Sequence, residues 1–374
     1  MSSPLADPRT APLVSTVLSG RPHSPLLRWF ADGLTATLHQ NGHTLVEAGE
    51  TAPRLAVHFV DADRPRPFRR KAQGTFVVSV TEVAERPDDL LKAAYPLLVR
   101  SLSNLLIYLV NEPAGPRTYF VTLEQGYYQV ERDSSDDEGY FEAVYRRMRP
   151  LATSQLVINN RYLKNLPEPH WSGNPRTEAL AAAGRRLGAM NLLPTPFPIQ
   201  EWLPAREMAH VRRLFGIGGL SYGNLSIRED ASSFWMSASG VDKAQMRVVG
   251  RDMLLITDYL PAERAMVVSV PPHVEPRRAS VDAVEHWMLY TEHPSIGAII
   301  HVHAWMEGVP STTVNYPCGT AELAREVAEL VRREPDPSRA VIGLKNHGLT
   351  ITGRSLEEIL GRIEGRLLPQ VPMQ

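Results

Sequence analysis

The chain has 374 residues, 43% hydrophobic and 22% charged, a balance that buries real cores and allows two domains of about 100–200 residues each. Lys and Arg total 40 against 41 Asp and Glu, so the formal charge of −1 gives no electrostatic basis for binding nucleic acid or an anionic membrane. Cys318 is the one cysteine, which excludes an intramolecular disulfide and a cysteine-built zinc or iron–sulfur site. Histidines and carboxylates are therefore the expected ligands of any metal.

Residues 1–22, rich in Pro, Ser and Thr, read as a loose leader without the basic start and clean apolar core of a signal peptide. The longest apolar run, residues 97–110, is broken by Arg100 and is too short to span a bilayer, so a cytoplasmic location is expected. "LLRWFADGLTATLHQ" predicts an amphipathic helix, and "RLAVHFVDA" and "GTFVVSVTEV" predict strands. "DDLLKAAYPLLVRSLSNLL" reads as a helix capped by its Asp pair, and "RTYFVTLEQGYYQVER" as a hairpin about Gln125-Gly126. "EGYFEAVYRRMRPL" predicts a helix and "SQLVINN" a strand. Alternating strands and helices make residues 23–165 an α/β or α+β domain of no evident chemistry. His39, His43 and His58 share no spacing in it and suit surface or packing roles.

Prolines crowd both sides of the helix "RTEALAAAGRRLGAMNLL", which marks residues 166–199 as a linker region. A second α/β domain then covers residues 200–374. "AREMAHVRRLFGI" predicts a helix, and "GGLSYGNLSIRED" and "SSFWMSASGVDKAQM" predict strands, the latter ending in a Ser-Gly turn. "DMLLITDYL" and "AMVVSV" are strand-like, "SVDAVEHWMLYTEH" helical and "IGAIIHVHAW" a strand. "CGTAELAREVAELVRRE" predicts a helix, "RAVIGLKNHGLTITGR" a strand, turn and strand, and "SLEEILGRIEGRLL" a last helix.

His301 and His303 are two apart on a predicted strand, so they share a face about 6.5–7 Å apart. Two imidazoles can close that gap onto one ion with bonds of about 2.0–2.1 Å. His347 sits in an Asn-His-Gly turn that can project a side chain into a cleft, with Gly348 permitting close backbone approach. Asp282 and His286, four apart on the preceding helix, share a face that can offer Asp282 to the same centre. Three histidines and a carboxylate suit zinc or another divalent first-row ion.

The run "GNLSIR … SASGVDK … SVDAVEH … HPSIGAIIHVHA … LKNHGLTITG" resembles the class II aldolase/adducin family in order, spacing and residue type over residues 176–366. In motif it is nearest the fuculose-phosphate aldolase and ribulose-phosphate 4-epimerase groups. The resemblance implies a three-layer αβα domain, with His301, His303 and His347 as metal ligands. It places Asp282 where those groups carry an acid/base carboxylate, and it leaves Asp282 open as a fourth ligand. Asn224, Ser239, Gly240 and Ser280 match positions that hold a substrate phosphate. Zinc is the implied ion, with Fe2+ or Mn2+ as alternatives, and a homo-oligomer, tetrameric in the family, is the implied assembly.

Three departures bear on the reaction. Val281 stands where the phosphosugar members have a second serine, and valine donates nothing to a phosphate. The loop after His303 lacks the epimerase group's aspartate, and the segment carrying a catalytic tyrosine in those relatives is absent or replaced. Glu307, Tyr316 and Lys345 are nearby substitutes; Glu285 and Glu292 read as a solvated or structural face, and His286 as structural. The expected function is a metal-dependent lyase or isomerase acting on a small hydroxylated carbonyl or sugar-phosphate-like substrate. Its aldol cleavage, epimerisation or elimination would share an enediolate. An iron(II)-dependent oxygenase and an adducin-like binding module without catalysis are the alternatives.

Overall fold

The computed structural model describes residues 14–47, 52–72, 74–112, 115–123, 125–194, 197–215 and 221–374, with the side chains of 210 and 212–215 left out. Within these bounds the chain is mixed α/β and divides into two compact units, Met1–Thr153 and Ser154–Gln374. Residues 1–13 of the expected leader and the "GGL" ahead of Ser221 lie outside the described residues.

The first unit runs β1 (Val14–Ser19), α1 (Pro25–Gln40), β2 (His43–Leu45), β3 (Leu55–Phe59), β4 (Phe76–Val83), α2 (Leu90–Arg100), β5 (Leu105–Glu112), β6 (Gly115–Thr122), β7 (Tyr127–Val130) and α3 (Asp137–Thr153). The strands pair in the order β2-β1-β3-β4-β5-β6-β7, parallel through β5 and antiparallel from there. α1 starts at Ser24, whose hydroxyl accepts from Leu27 N, and buries Leu27, Phe30, Leu34 and Leu38 at helical spacing.

Two expectations here need correction. β1 lies inside the stretch read as a loose leader; its "VSTVLS" pairs with both β2 and β3, so tertiary pairing overrides a proline-rich context. The helix begun at Asp89 stops at Arg100, because Leu102 takes φ 54 and the apolar residues after Asn104 enter β5. His43 bridges Thr16 Oγ1 and Tyr145 OH, and His58 meets Arg66 O and the Phe68 ring, both packing roles.

The second unit runs β8 (Asn159–Leu163), α4 (Pro175–Ala189), α5 (Ile199–Trp202), α6 (Ala205–Phe215), β9 (Asn224–Arg228), β10 (Phe234–Ser237), β11 (Met253–Leu260), β12 (Ala265–Ser269), α7 (Ala283–Glu292), β13 (Ala298–Val302), α8 (Ala321–Arg333), β14 (Val341–Leu344), β15 (Gly348–Gly353) and α9 (Leu356–Ile363). The strand order is β14-β15-β13-β9-β10-β11-β12-β8. This unit begins ahead of the interval 166–199, since β8 already pairs with β12 and α4 packs on β9 and β10. The strand expected over 154–160 is displaced to 159–163, with Leu156 making only an isolated bridge to Thr320.

Strand alternation sorts the central residues into two faces. Asn224, Ser226 and Arg228 bond to Asp282, His286 and the Tyr290 carbonyl, so this face of β9 looks at α7 and its N-terminal residue. Register puts Asn224 opposite His301 and His301 opposite Thr350, extending that face across β13 and β15. The opposite face packs on α4 and α9; Gly353 there has no room for a Cβ beside Ile359.

Candidate metal centre

The three histidines reach one point by two routes. β13 delivers His301 on its α7 face, and His303 follows just past the strand end. His347 ends the turn between β14 and β15, where Asn346 takes φ 55, a left-handed conformation that asparagine tolerates. Asn346 is braced by residue 374, whose backbone N–H donates to Asn346 Oδ1 (2.8 Å) and whose carbonyl accepts from Nδ2 (2.9 Å). Trp305, two past His303, pairs reciprocally with Leu368. Residues 368 and 374 thus steady both histidine-bearing turns.

Two glycines let these backbones meet. A Cβ on Gly348 would stand 2.2 Å from Val302 O, and one on Gly223, at φ +67, would stand 2.3 Å from His301 O. Only a residue without a side chain permits either approach.

One ligand nitrogen from each of His301, His303 and His347 lies within 4.8 Å of the other two. His301 Nδ1 lies 3.0 Å from Leu349 O. A carbonyl only accepts, so Nδ1 carries the proton and Nε2 of the neutral ring is bare. That Nε2 stands 3.0 Å from His347 Nε2. Two bonds of about 2.0–2.1 Å at a tetrahedral angle place their nitrogens about 3.4 Å apart, close to this spacing. His303 Nδ1 is buried without a hydrogen-bond partner, and its ring packs edge-on against Tyr222. Burial holds the His303 and His347 pKa below the ordinary histidine range, with the neighbouring imidazoles adding to this at His303. Neutral rings are the form that binds a cation. The donor set fits a divalent ion.

Asp282 stands outside this cluster. Its Oδ2 accepts from Asn224 Nδ2 at 2.7 Å, while Asn224 Oδ1 stays buried and unpartnered. Asn224 therefore spends a donor on the carboxylate and keeps an acceptor for the site. Ser239 N–H is bonded to Arg278 O and Gly240 O accepts from Arg277, so this turn offers an anion less than expected. Ser280 and Val281 are half-buried beside Asp282.

Two groups near the cluster went unnoticed in the sequence, and a third was left open between a solvated and a structural face. Cys318 Sγ lies 3.3 Å from His347 Nδ1 and 3.5 Å from Nε2, so sulfur does stand beside the cluster. A lone cysteine 29 residues from His347 carries no spacing signal. Lys243, in the quoted "SGVDK", is buried and lies near Asp282 and His303. Glu285, expected on a solvated or structural face, is buried and accepts from Thr350 Oγ1 at 2.6 Å. Glu292 is the solvated one, paired with Arg332. His286 is fully buried with Nδ1 bonded to Ser226 Oγ, and burial pulls its pKa down to about 3, a structural role. Glu307 is exposed, and Tyr316 and Lys345 are half-buried.

Burial, with the Asp282 charge, raises the Glu285 pKa to about 8. The folded protein then keeps this proton where the unfolded chain releases it. Stability is full below the ordinary glutamate value of about 4.5 and falls as pH rises toward 8. Glu285→Gln removes that slope: in urea melts the wild type should lose a few kcal/mol relative to the variant between pH 4.5 and pH 8, on the order expected for a buried carboxyl. Parallel curves would contradict it.

Residues 206–307 match the family model described as Class II Aldolase and Adducin N-terminal domain. This segment belongs to that family. The class II aldolase segment also relates the chain to methylthioribulose-1-phosphate dehydratases. That of Klebsiella pneumoniae subsp. pneumoniae is 23% identical over 172 residues, covering 38% of this chain and 79% of the relative. That of Citrobacter koseri is 28% identical over 172 residues, covering 38% and 78%. Among solved structures, the L-fuculose 1-phosphate aldolase of Glaciozyma antarctica is 17% identical with a TM-score of 0.33, covering 50% of this chain and 68% of that one. Among the described residues, no helix is long and apolar enough to cross a membrane.

Proposed function

We propose that the chain is a divalent-metal-dependent lyase or isomerase acting on a small hydroxylated carbonyl compound. The observation that carries this is the convergence of His301, His303 and His347 nitrogens within 4.8 Å. These three would hold the ion, with Zn2+ first and Fe2+ or Mn2+ as the alternatives. Bound there, the ion supplies Lewis acidity toward the substrate's carbonyl and hydroxyl oxygens.

The chain's own residues do the rest. Asp282 takes and returns the proton that moves, its carboxylate oriented by Asn224 Nδ2. Asn224 Oδ1 accepts from a substrate hydroxyl, because a buried carbonyl oxygen is costly to leave unpaired. Elimination of water is favoured over aldol cleavage by the name that the curated relatives share. A homo-oligomer is part of the proposal, on family resemblance alone.

Elemental analysis of protein purified without added metal should find about one divalent ion per chain, the stoichiometry of a single three-histidine site. Turnover of a ketose and ketose-phosphate panel should stop with chelator and return with Zn2+, Mn2+ or Fe2+. Full turnover in chelator would overturn the metal reading. Turnover that consumes oxygen would favour the iron oxygenase, and metal-free, inactive protein the adducin-like module.

A further inference from the structure

We propose that Glu285 is the reserve negative charge of the metal centre, a buried carboxylic acid that gives up its proton when a divalent cation enters the histidine cluster. This rests on the reading of that cluster as a cation site. Glu285 is 2% exposed. Its Oε1 accepts from Thr350 Oγ1 at 2.6 Å, and among the described residues Oε2 has no hydrogen-bond partner. One neutral hydroxyl is poor support for a buried carboxylate, so without a cation nearby the carboxyl keeps its proton. Burial and the Asp282 charge accordingly hold its pKa up at about 8.

Its place in the fold ties it to the cluster. Glu285 follows Asp282 by three residues, so the two share one side of the start of α7. Thr350, which holds it, stands directly opposite His301 in the β13–β15 register. The carboxyl is thus one residue pair away from His301, on the sheet face that carries the cluster. Three neutral imidazoles leave both charges of a divalent ion uncompensated, and Asp282 answers one of them. An ionised Glu285 answers the other, and the ion in turn favours the ionised carboxyl. Its position in the first turn of α7 favours the carboxylate as well. The remaining charges around it are spent elsewhere. Lys243 and Asp242 adjoin with opposite signs, and His286 is buried and neutral. Arg228 of β9 is held by the Tyr290 and His293 carbonyls, and Asp258 of β11 is exposed. On α8, Glu322 pairs with Arg325, Glu329 with Arg332 and Arg333, and Glu326 accepts from Thr313.

The test uses the full chain freed of metal by chelator and titrated with Zn2+ by calorimetry at pH 7. Two buffers of different ionisation enthalpy together count the protons released per ion. Wild type should release about one proton more than Glu285→Gln, the number that a single carboxyl supplies. Protons from the imidazoles, and from water on the ion, are common to both proteins and cancel. The Zn2+ affinity of wild type relative to the variant should rise by up to about tenfold per pH unit. It should level off above about 8, where Glu285 is already ionised without the ion. Infrared difference spectra, zinc-loaded minus metal-free, give a second readout that needs no variant. A protonated-carboxyl band should disappear with Zn2+, and labelling glutamate with 13C should shift that band, which separates it from aspartate. A folded Glu285→Gln that releases as many protons as wild type, or a 13C-sensitive carboxylic acid band that survives Zn2+, overturns the proposal. A chain that retains no Zn2+ on dialysis overturns the reading of the cluster too, and elemental analysis tells that outcome from the other two.

Discussion

Alanine in place of His301 or His347 is expected to cost more than about 100-fold in divalent-metal affinity, since even the loss of a group that only orients a ligand costs about 10–100-fold. With the ion goes any turnover that depends on it. The two positions should behave alike, because His301 Nε2 and His347 Nε2 face each other at 3.0 Å and neither remaining pair can enclose a cation alone. His303→Ala tests the third member, whose Nδ1 has no hydrogen-bond partner and whose loss breaks no internal hydrogen bond at that atom. Its effect on metal binding should therefore exceed its effect on melting temperature. Competition against a fluorescent chelator gives the affinities, and circular dichroism on the chelated proteins separates metal loss from unfolding. Variants that bind metal as tightly as wild type would remove the basis of the proposed chemistry.

The second large effect concerns backbone rather than ligands. Gly348→Ala puts a methyl 2.2 Å from Val302 O and 3.1 Å from His303 Cα, so β15 must move away from the end of β13. Overpacking of this kind costs about 1–3 kcal/mol. Gly223→Ala meets His301 O at 2.3 Å and adds a φ of +67, which an L side chain adopts with difficulty. Both substitutions act on the strand end that carries His301 and His303, from opposite neighbours. Each should lower the urea midpoint and weaken metal binding together. By contrast, Gly361→Ala inside α9 meets nothing within 4 Å; it should leave metal binding unchanged and raise the urea midpoint slightly, because alanine favours helix over glycine. A Gly348→Ala protein with wild-type midpoint and metal affinity would show that the approach of the two strands is less constrained than the geometry requires.

Much of the second unit was legible before any coordinates. "AELAREVAELVRR" spaces its apolar residues at helical intervals after Thr320, and α8 buries Ala324, Val327, Ala328 and Val331 as that pattern demands. The "IIHVH" run declares a strand with both imidazoles on one side, because side-chain alternation is a local property of extended backbone. What failed in the first unit was local ambiguity. The apolar stretch after Arg100 suits helix or buried strand equally, and only pairing with β4 and β6 settles it as β5.

The sequence by itself limited the candidate ligands, since a single cysteine leaves imidazoles and carboxylates as the side chains that could surround a metal. It determined that His301 and His303, two apart on extended backbone, fall on one side of their strand. Tertiary structure decided which side of the sheet they face, through the β13–β15 register that sets His301 opposite Thr350; a slip of one residue would turn both rings toward α9. It also decided that Asp282 answers to Asn224, that Glu285 and Lys243 are buried, and that the Cys318 thiol comes to rest against His347. Those outcomes depend on contacts between residues far apart in the chain, and burial of a charge is a property of what surrounds it, which no short stretch of sequence records.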